Sequence, residues 1–379
     1  MENWFNRRFK AKISVSFNSG RSALLAILSA AGIGPGDEVI VQAFTCVAVP
    51  DPVVWSGAKP IYADIDDSLN IDPYLLEQYI TSKTKAIVVQ HTFGIPANIV
   101  EIKKIAQKHK LILIEDCAHS LGATIENREV GTFADAAFFS FGRDKVISSI
   151  FGGMAVINKH SKIDSIKLKH YQMKLPNPSI FWIFQQLLHP LVFFIVLPIY
   201  NIYIGKILLY LFQRLHLLSF PVYSCEKKAK KPSVFPAKYP NALARLLLIQ
   251  LPKLEKFNNH RKEIAYYYFS SLKEVKGLIL PQKTSGAIYL RFNIFINKAS
   301  DLLTYAKREG ILLGNWYHHI IDPYGVSMEA IGFREGKYSK AKLAARESVN
   351  LPTYQAMSIN QADKVIELIK QYGNKSVGK

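Results

Sequence analysis

Apolar positions recur at two spacings along this chain, and the switches between them mark its elements. Over residues 22–31 they fall at helical intervals, and Gly32, Gly34, Pro35 and Gly36 then break the pattern, so a helix begins just after Gly20. Short apolar runs follow at 38–41, 60–63, 85–90 and 111–114, separated by helical segments such as 99–108. These runs predict buried strands. Strands alternating with helices predict an α/β fold, a mostly parallel sheet covered by helices on both faces. Ligands of such sheets gather at the carboxyl ends of the strands, where Asp116 falls. From 240 to 274 the spacing is helical again, with Leu243, Leu247, Leu251 and Leu254 on one face, as in a helix leading to a second domain. Strands at 278–280, 287–296 and 311–316 and helices at 299–309, 340–346 and 360–372 make that domain a smaller α+β unit. The division is therefore 1–239 and 240–379, with no internal repeat.

Candidate chemistry lies between 111 and 145. The run Leu111-Ile112-Leu113-Ile114 delivers Glu115 and Asp116, and a second apolar segment, Ala136-Ala137-Phe138-Phe139-Ser140-Phe141, leads through Gly142-Arg143-Asp144 to Lys145. A carboxylate and an amine so presented form the pair that pyridoxal phosphate requires. The amine forms a Schiff base, and the carboxylate keeps the pyridine nitrogen protonated so that the ring accepts electrons. Taken alone, the same residues read equally as a helix cap and a solvated surface lysine.

The surrounding words are more specific. Ser19-Gly20-Arg21-Ser22-Ala23-Leu24, Gly34-Pro35-Gly36-Asp37-Glu38-Val39, Asp64-Ile65-Asp66, Glu115-Asp116-Cys117-Ala118-His119-Ser120, Gly131-Thr132-Phe133-Ala134-Asp135-Ala136 and Gly152-Gly153-Met154 resemble, in order and spacing, the sugar aminotransferases of the DegT/StrS type, a branch of fold-type I pyridoxal phosphate enzymes. Gln250-Leu251-Pro252, Arg261 and Asn350-Leu351-Pro352 resemble that family's C-terminal region, so the likeness leaves out about 160–235.

The resemblance implies roles for individual residues. Lys145 would bind the cofactor covalently and act as general acid and base, Asp116 would pair with the ring nitrogen, and His119 would lie against the ring or near its phenolic oxygen. Gly20, Arg21, Ser22 and Ser140 would hold the phosphate, since a helix N-terminus favours an anion. Alternative readings are a core histidine for His119 and a helix cap for Ser22. Arg21 and Ser22 stand where Thr and Ala are usual in the family. Cys46 stands where many relatives stack an aromatic residue on the ring, which leaves that thiol or His119 to cover the face. Pro236 and Lys238 stand where relatives supply Asn and Arg across a dimer interface; Lys238 would still reach the phosphate or substrate from the partner subunit, though as a point charge it cannot copy a bidentate arginine. Lys145 is intact, unlike in the dehydratase branch of the family.

Residues 179–219 depart from every pattern above, with Lys206 and Arg214 their only formal charges. The stretch is long enough to enter a bilayer. Catalytic candidates precede it and the small domain follows it, so both flanks share one side and an odd number of crossings is excluded. Interrupted by Pro190 and Pro198, the apolar insertion at 176–222 reads as a helical hairpin or a pair of interfacial helices. Lys206 would snorkel, and Trp182, Tyr200, Tyr203 and Tyr210 would lie at the headgroups. The competing reading is a pair of helices buried in a dimer interface.

A formal net charge of +19 suits nucleic acid, anionic lipid or a phosphorylated substrate. No nucleic-acid-binding motif is present, and lysines cluster beside the insertion, at 159, 162, 167, 169 and 174 before it and 227, 228, 230 and 231 after it, which favours an anionic membrane surface. The three cysteines, Cys46, Cys117 and Cys225, lack metal-ligand spacing and read as reduced thiols of a cytoplasmic protein; no signal peptide is apparent.

Together these readings predict a homodimeric pyridoxal phosphate aminotransferase at the inner face of the cell membrane. It would convert a keto-sugar, nucleotide-linked or lipid-linked, to an amino-sugar with glutamate as donor, for a surface glycan or glycolipid. The alternatives are a non-catalytic membrane-associated scaffold that keeps the fold, or pyridoxal phosphate chemistry of another type.

Overall fold

The computed structural model describes residues 1–200 and 204–377. Its larger sheet contains β1 (Ile13–Phe17), β2 (Glu38–Gln42), β3 (Lys59–Ala63), β4 (Thr84–Gln90), β5 (Ile112–Asp116), β6 (Ala136–Ser140) and β7 (Gly153–Ile157), in the order β1-β7-β6-β5-β4-β2-β3. Only β7 runs against its neighbours. The carboxyl ends of β1, β4, β5 and β6 therefore lie on one edge, which the alternation of strands and helices predicts. The expected strands at 38–41, 60–63, 85–90 and 111–114 all form; β1 and β7 join them.

Adjacent strand residues point to opposite faces, and the pair at the end of β5 shows the consequence. Glu115 is fully buried and accepts amide hydrogens from Gly131 at 2.6 Å, Phe133 at 2.8 Å and Ala134 at 2.9 Å. His91, whose Nδ1 accepts from the Ala97 amide at 3.0 Å, donates through Nε2 to the same carboxylate at 3.2 Å. Glu115 thus fastens the 131–134 loop beneath the sheet, while Asp116 turns toward the carboxyl edge. Replacing Glu115 by alanine leaves three buried amides and His91 without an acceptor. The expected loss is on the order of 4 kcal/mol in denaturant unfolding, and a loss under about 1 kcal/mol would contradict this role.

The first helix of the sheet layer, α1 (Gly20–Ala30), is capped by Ser19, whose hydroxyl accepts from the Ser22 amide at 3.1 Å. Its N-terminus crosses the sheet edge so closely that a Cβ on Gly153 would meet Ser19 O at 2.3 Å, and one on Gly20 would meet Ser140 Cβ at 3.0 Å. Glycine at both positions lets the helix terminus sit over the ends of β6 and β7. Helix α2 (Ile99–Lys108) covers the sheet through buried Ile99, Ile102 and Ala106.

Helices α3 (Ile180–Val196) and α4 (Ile204–Arg214) form the apolar segment, and no described helix is long and apolar enough to cross a membrane. Trp182 corrects one expectation. It is buried, donates from Nε1 to the Tyr223 hydroxyl at 3.0 Å and meets the Phe151 ring edge-on at 5.5 Å, so it anchors α3 to the protein instead of facing headgroups. Tyr200 is half-buried, with Lys206 Nζ 5.5 Å from its ring centre, Tyr210 is exposed, and Tyr203 lies outside the described residues.

Past this segment, α5 (Asn241–Gln250) and α6 (Leu254–Leu272) flank Pro252 and lead to a second, antiparallel sheet: β8 (Leu278–Ile279), β9 (Phe292–Ile296) and β10 (Ser348–Leu351). Helices α7 (Ala299–Arg308), α8 (Ser339–Glu347) and α9 (Ile359–Val377) accompany it. The expected strand at 311–316 does not form: Gly314 makes a single bridge to Asn350, and 287–291 stays outside β9.

Candidate active site

One cleft lies over the carboxyl edge of the larger sheet, and Gly20, Arg21, Cys46, Asp116, His119, Ser140 and Lys145 all line it. Lys145 follows β6 on a loop and directs its amino group at His119 Nε2, 2.9 Å away. Burial, reinforced by Lys145, holds the His119 imidazolium well below its usual range, so the ring is neutral and accepts from the lysine. Its Nδ1 is buried without a hydrogen-bond partner among the described residues. Asp144 Oδ2 lies 3.6 Å from Lys145 Nζ and 3.1 Å from Arg291. Burial opposes its ionisation, but Lys145 and Arg291 outweigh burial and hold the carboxyl well below the usual range.

Asp116 is buried, and its Oδ1 accepts from the Ala118 amide at 2.9 Å. Burial pushes its carboxyl up to about 6 despite that bond and the nearby Lys145. A carboxylate so destabilised is suited to a cation brought in by a ligand. Burial likewise pushes the Cys46 thiol up to about 12, so it stays neutral. Cys46 is fixed by a short parallel pairing, Thr45–Cys46 with Ile321–Asp322.

Two side chains expected to hold a phosphate are engaged elsewhere. Ser22 does not line the cleft; its hydroxyl is buried, donates to Asn18 Oδ1 at 2.8 Å and lies 2.8 Å from Ser19 Oγ, so it completes the helix cap. Arg21 lines the cleft, but its guanidinium pairs with buried Glu226, donates to Pro221 O at 2.8 Å and lies 4.7 Å from the Phe235 ring centre. What remains for an anion is the Gly20 and Arg21 backbone N–H groups, the first two of α1, with the Ser140 hydroxyl. Lys238 does not line the cleft of its own chain; it bridges Phe17.

The site also holds residues to which sequence reading gave no role. Arg143 and Asp144 stand directly before Lys145, while Trp316 and Tyr317 close the cleft from the C-terminal part. Tyr317 is buried, and its ring lies over His119 with centres 6.4 Å apart and planes at 27°. Only the adjacency of Arg143 and Asp144 to Lys145 is visible in sequence.

The donor set fits pyridoxal phosphate. Lys145 offers an amine and the α1 terminus an anion cradle; among the described residues Asp116 is a buried carboxylate without a cation in contact and His119 Nδ1 is unpaired.

Comparison with known proteins agrees. The model of the DegT/DnrJ/EryC1/StrS aminotransferase family matches residues 1–175 and 217–370, and α3 and α4 both fall in the gap between them. The spore coat polysaccharide biosynthesis protein SpsC of Bacillus subtilis is 30% identical over 373 residues, spanning 95% of this chain and 85% of SpsC. GDP-perosamine synthase of Vibrio cholerae is 39% identical over 171 residues, 45% of this chain and 47% of that protein. The solved PLP-form of the sugar aminotransferase Spr1654 from Streptococcus pneumoniae shares the fold, with a TM-score of 0.77 and 22% identity over 99% of this chain and 90% of its own. Matched over most of its length, this chain belongs to the DegT/DnrJ/EryC1/StrS aminotransferase family and is an aminotransferase that works with pyridoxal phosphate.

Proposed function

We propose that this enzyme aminates a keto-sugar, with glutamate as amino donor, through Lys145, Asp116 and His119. One observation carries the reading: Lys145 Nζ meets the neutral His119 ring at 2.9 Å in the cleft that Asp116 also lines. Relatives named for GDP-perosamine and for a UDP-linked 3-keto-glucosamine support a sugar substrate, and SpsC, named for spore coat polysaccharide, supports a surface glycan as the destination.

When bound, the cofactor supplies an electron sink for the carbon that loses its proton. The protein supplies the rest. Asp116 would face the ring nitrogen and hold its proton, and the Gly20 and Arg21 N–H groups with Ser140 would hold the phosphate. Lys145 would carry the cofactor and, once freed, move the proton, while His119 keeps its amine aimed by accepting from it. Cys46 and Tyr317 would cover the ring. Lys238 would act in the cleft of a partner subunit in a homodimer, with residues 240–379 as the small domain. Exposed Lys162, Lys167 and Lys174 before the apolar hairpin and Lys228, Lys230 and Lys231 after it support docking at the anionic, cytoplasmic face of a membrane.

Adding glutamate to the cofactor-loaded enzyme, without sugar, should bleach its visible absorbance to that of the pyridoxamine form with release of one 2-oxoglutarate per site. A panel of keto-sugar nucleotides should then restore the absorbance for one member. Inertness toward glutamate in a loaded, folded preparation would overturn the donor assignment.

A further inference from the structure

The apolar hairpin is built into the wall of the cleft. Trp182 of α3 packs on Phe151, which lines the cleft, and Ile183 and Leu187 join the same cluster as Val146 and Ile147, the residues after Lys145. Buried Gln186 accepts from the Ser219 hydroxyl at 2.6 Å, and Ser219 Oγ accepts from Arg143. The chain returning from α4 places Pro221 and Val222 in the cleft wall. Away from this contact, Ile180 is 86% and Phe194 81% exposed, and Leu191, Leu197, Ile204 and Ile207 are exposed with them. An apolar face of that extent marks an interaction site.

Arg143 stands where the packed side of the hairpin meets the cleft, through Ser219 and Gln186. Arg21 has Glu226 and Arg291 has Asp144, but Arg143 makes no ion pair among the described residues; its side chain donates to a neutral hydroxyl, and its Nε is buried without a partner. Burial lowers it only to about 10, so it remains a cation at neutral pH. A partly desolvated guanidinium lacking an anion is suited to one that arrives with a ligand. The wall beside it, Ile150, Phe151, Pro221 and Val222, offers no side-chain hydrogen-bonding group to a nucleobase.

Building on the aminotransferase reading above, we propose that the substrate is a keto-sugar joined through phosphate to a long apolar chain, Arg143 meeting the phosphate and the exposed hairpin face taking the chain. Cation and apolar face then serve the two halves of one lipid phosphate. A nucleotide carrier would use only the first.

The test titrates the intact holoenzyme with farnesyl phosphate, farnesol, inorganic phosphate and uridine diphosphate, following tryptophan fluorescence. Farnesyl phosphate should bind at least about tenfold tighter than each of the others, and Arg143→Gln should weaken it by about tenfold, the scale of one charge-assisted hydrogen bond. The surface double variant Phe194→Ser/Ile207→Ser should weaken farnesyl phosphate and farnesol alike but not uridine diphosphate; retained cofactor absorbance reports that each variant is folded. Uridine diphosphate binding as tightly as farnesyl phosphate, or farnesyl phosphate binding unchanged in either variant, would overturn the proposal. So would sedimentation showing that the double variant turns a dimer into monomers, which would assign the face to a second copy of the chain. Failure of glutamate to bleach the same holoenzyme would count against the glutamate-donor assignment alone, leaving the lipid phosphate result to stand.

Discussion

Replacing Lys145 by alanine is expected to lower amino transfer by at least about 10⁴-fold and to leave a protein that loses the visible absorbance of its cofactor on gel filtration. The size of the effect follows from two functions resting on one amine. In the proposed mechanism it is the covalent attachment point, and among the described residues lining the cleft it is the only lysine, the amine that would move a proton at the reacting carbon, a role worth roughly 10²–10⁴-fold by itself. Little stability should be lost. Lys145 is half-buried, and Asp144 keeps its 3.1 Å contact with Arg291 when the lysine goes. A folded Lys145→Ala protein with near-normal turnover would remove the residue from the mechanism.

Asp116→Asn should separate catalysis from stability. Without the carboxylate, the ring nitrogen loses its fixed counter-charge, and turnover should fall roughly 10²–10³-fold, the usual scale for removing one preorganised electrostatic partner. The cofactor-free protein should respond in the opposite sense. Burial raises the Asp116 carboxyl from the usual 3.8 to about 6, so the folded chain binds this proton more tightly than the unfolded chain. Stability from this group is therefore greatest below about pH 4 and declines as pH rises to about 6. The decline amounts to about 3 kcal/mol for a shift of this size. Relative to wild type, cofactor-free Asp116→Asn should gain stability across that window and keep the gain at pH 7–8. Pyridoxal phosphate should reverse the order by restoring a cation to wild type alone. Denaturant unfolding of both proteins at pH 4, 6 and 8 checks this; equal pH dependence in the two would show that Asp116 feels no unfavourable burial.

The sheet and the pair at its edge were legible because strand–helix alternation is a local signal. Contiguous apolar runs gave β2 to β5, and the carboxyl end of β5 located Asp116. Strand β1 was missed because Ile13-Ser14-Val15-Ser16-Phe17 is not a contiguous apolar run: one face carries only Ser14 and Ser16, and the Ser16 hydroxyl donates to Glu2 at 2.7 Å. The expectation for 311–316 failed for another reason: the stretch meets β10 only through the Gly314–Asn350 bridge, and the Trp316 amide then donates to the Asn350 side chain at 2.9 Å instead of extending a ladder.

Roles that depend on distant partners were not legible. Arg21 reads as a phosphate ligand until Glu226, 205 residues on, takes its guanidinium. Ser22 turns to Asn18, a preference that a helix-cap reading allowed but spacing could not decide. Trp182 reads as an interfacial aromatic until Phe151 and Tyr223 bury it. Arg143 gave the converse case: its lack of an anion is visible only once every carboxylate around it has been placed.

Trapping the cofactor on its lysine tests most directly whether Lys145 holds it. Enzyme loaded with pyridoxal phosphate, reduced with borohydride and digested, should yield one peptide heavier by the reduced cofactor, with the added mass on Lys145. Label on any other lysine, or none on a protein that keeps its visible absorbance before reduction, would contradict it.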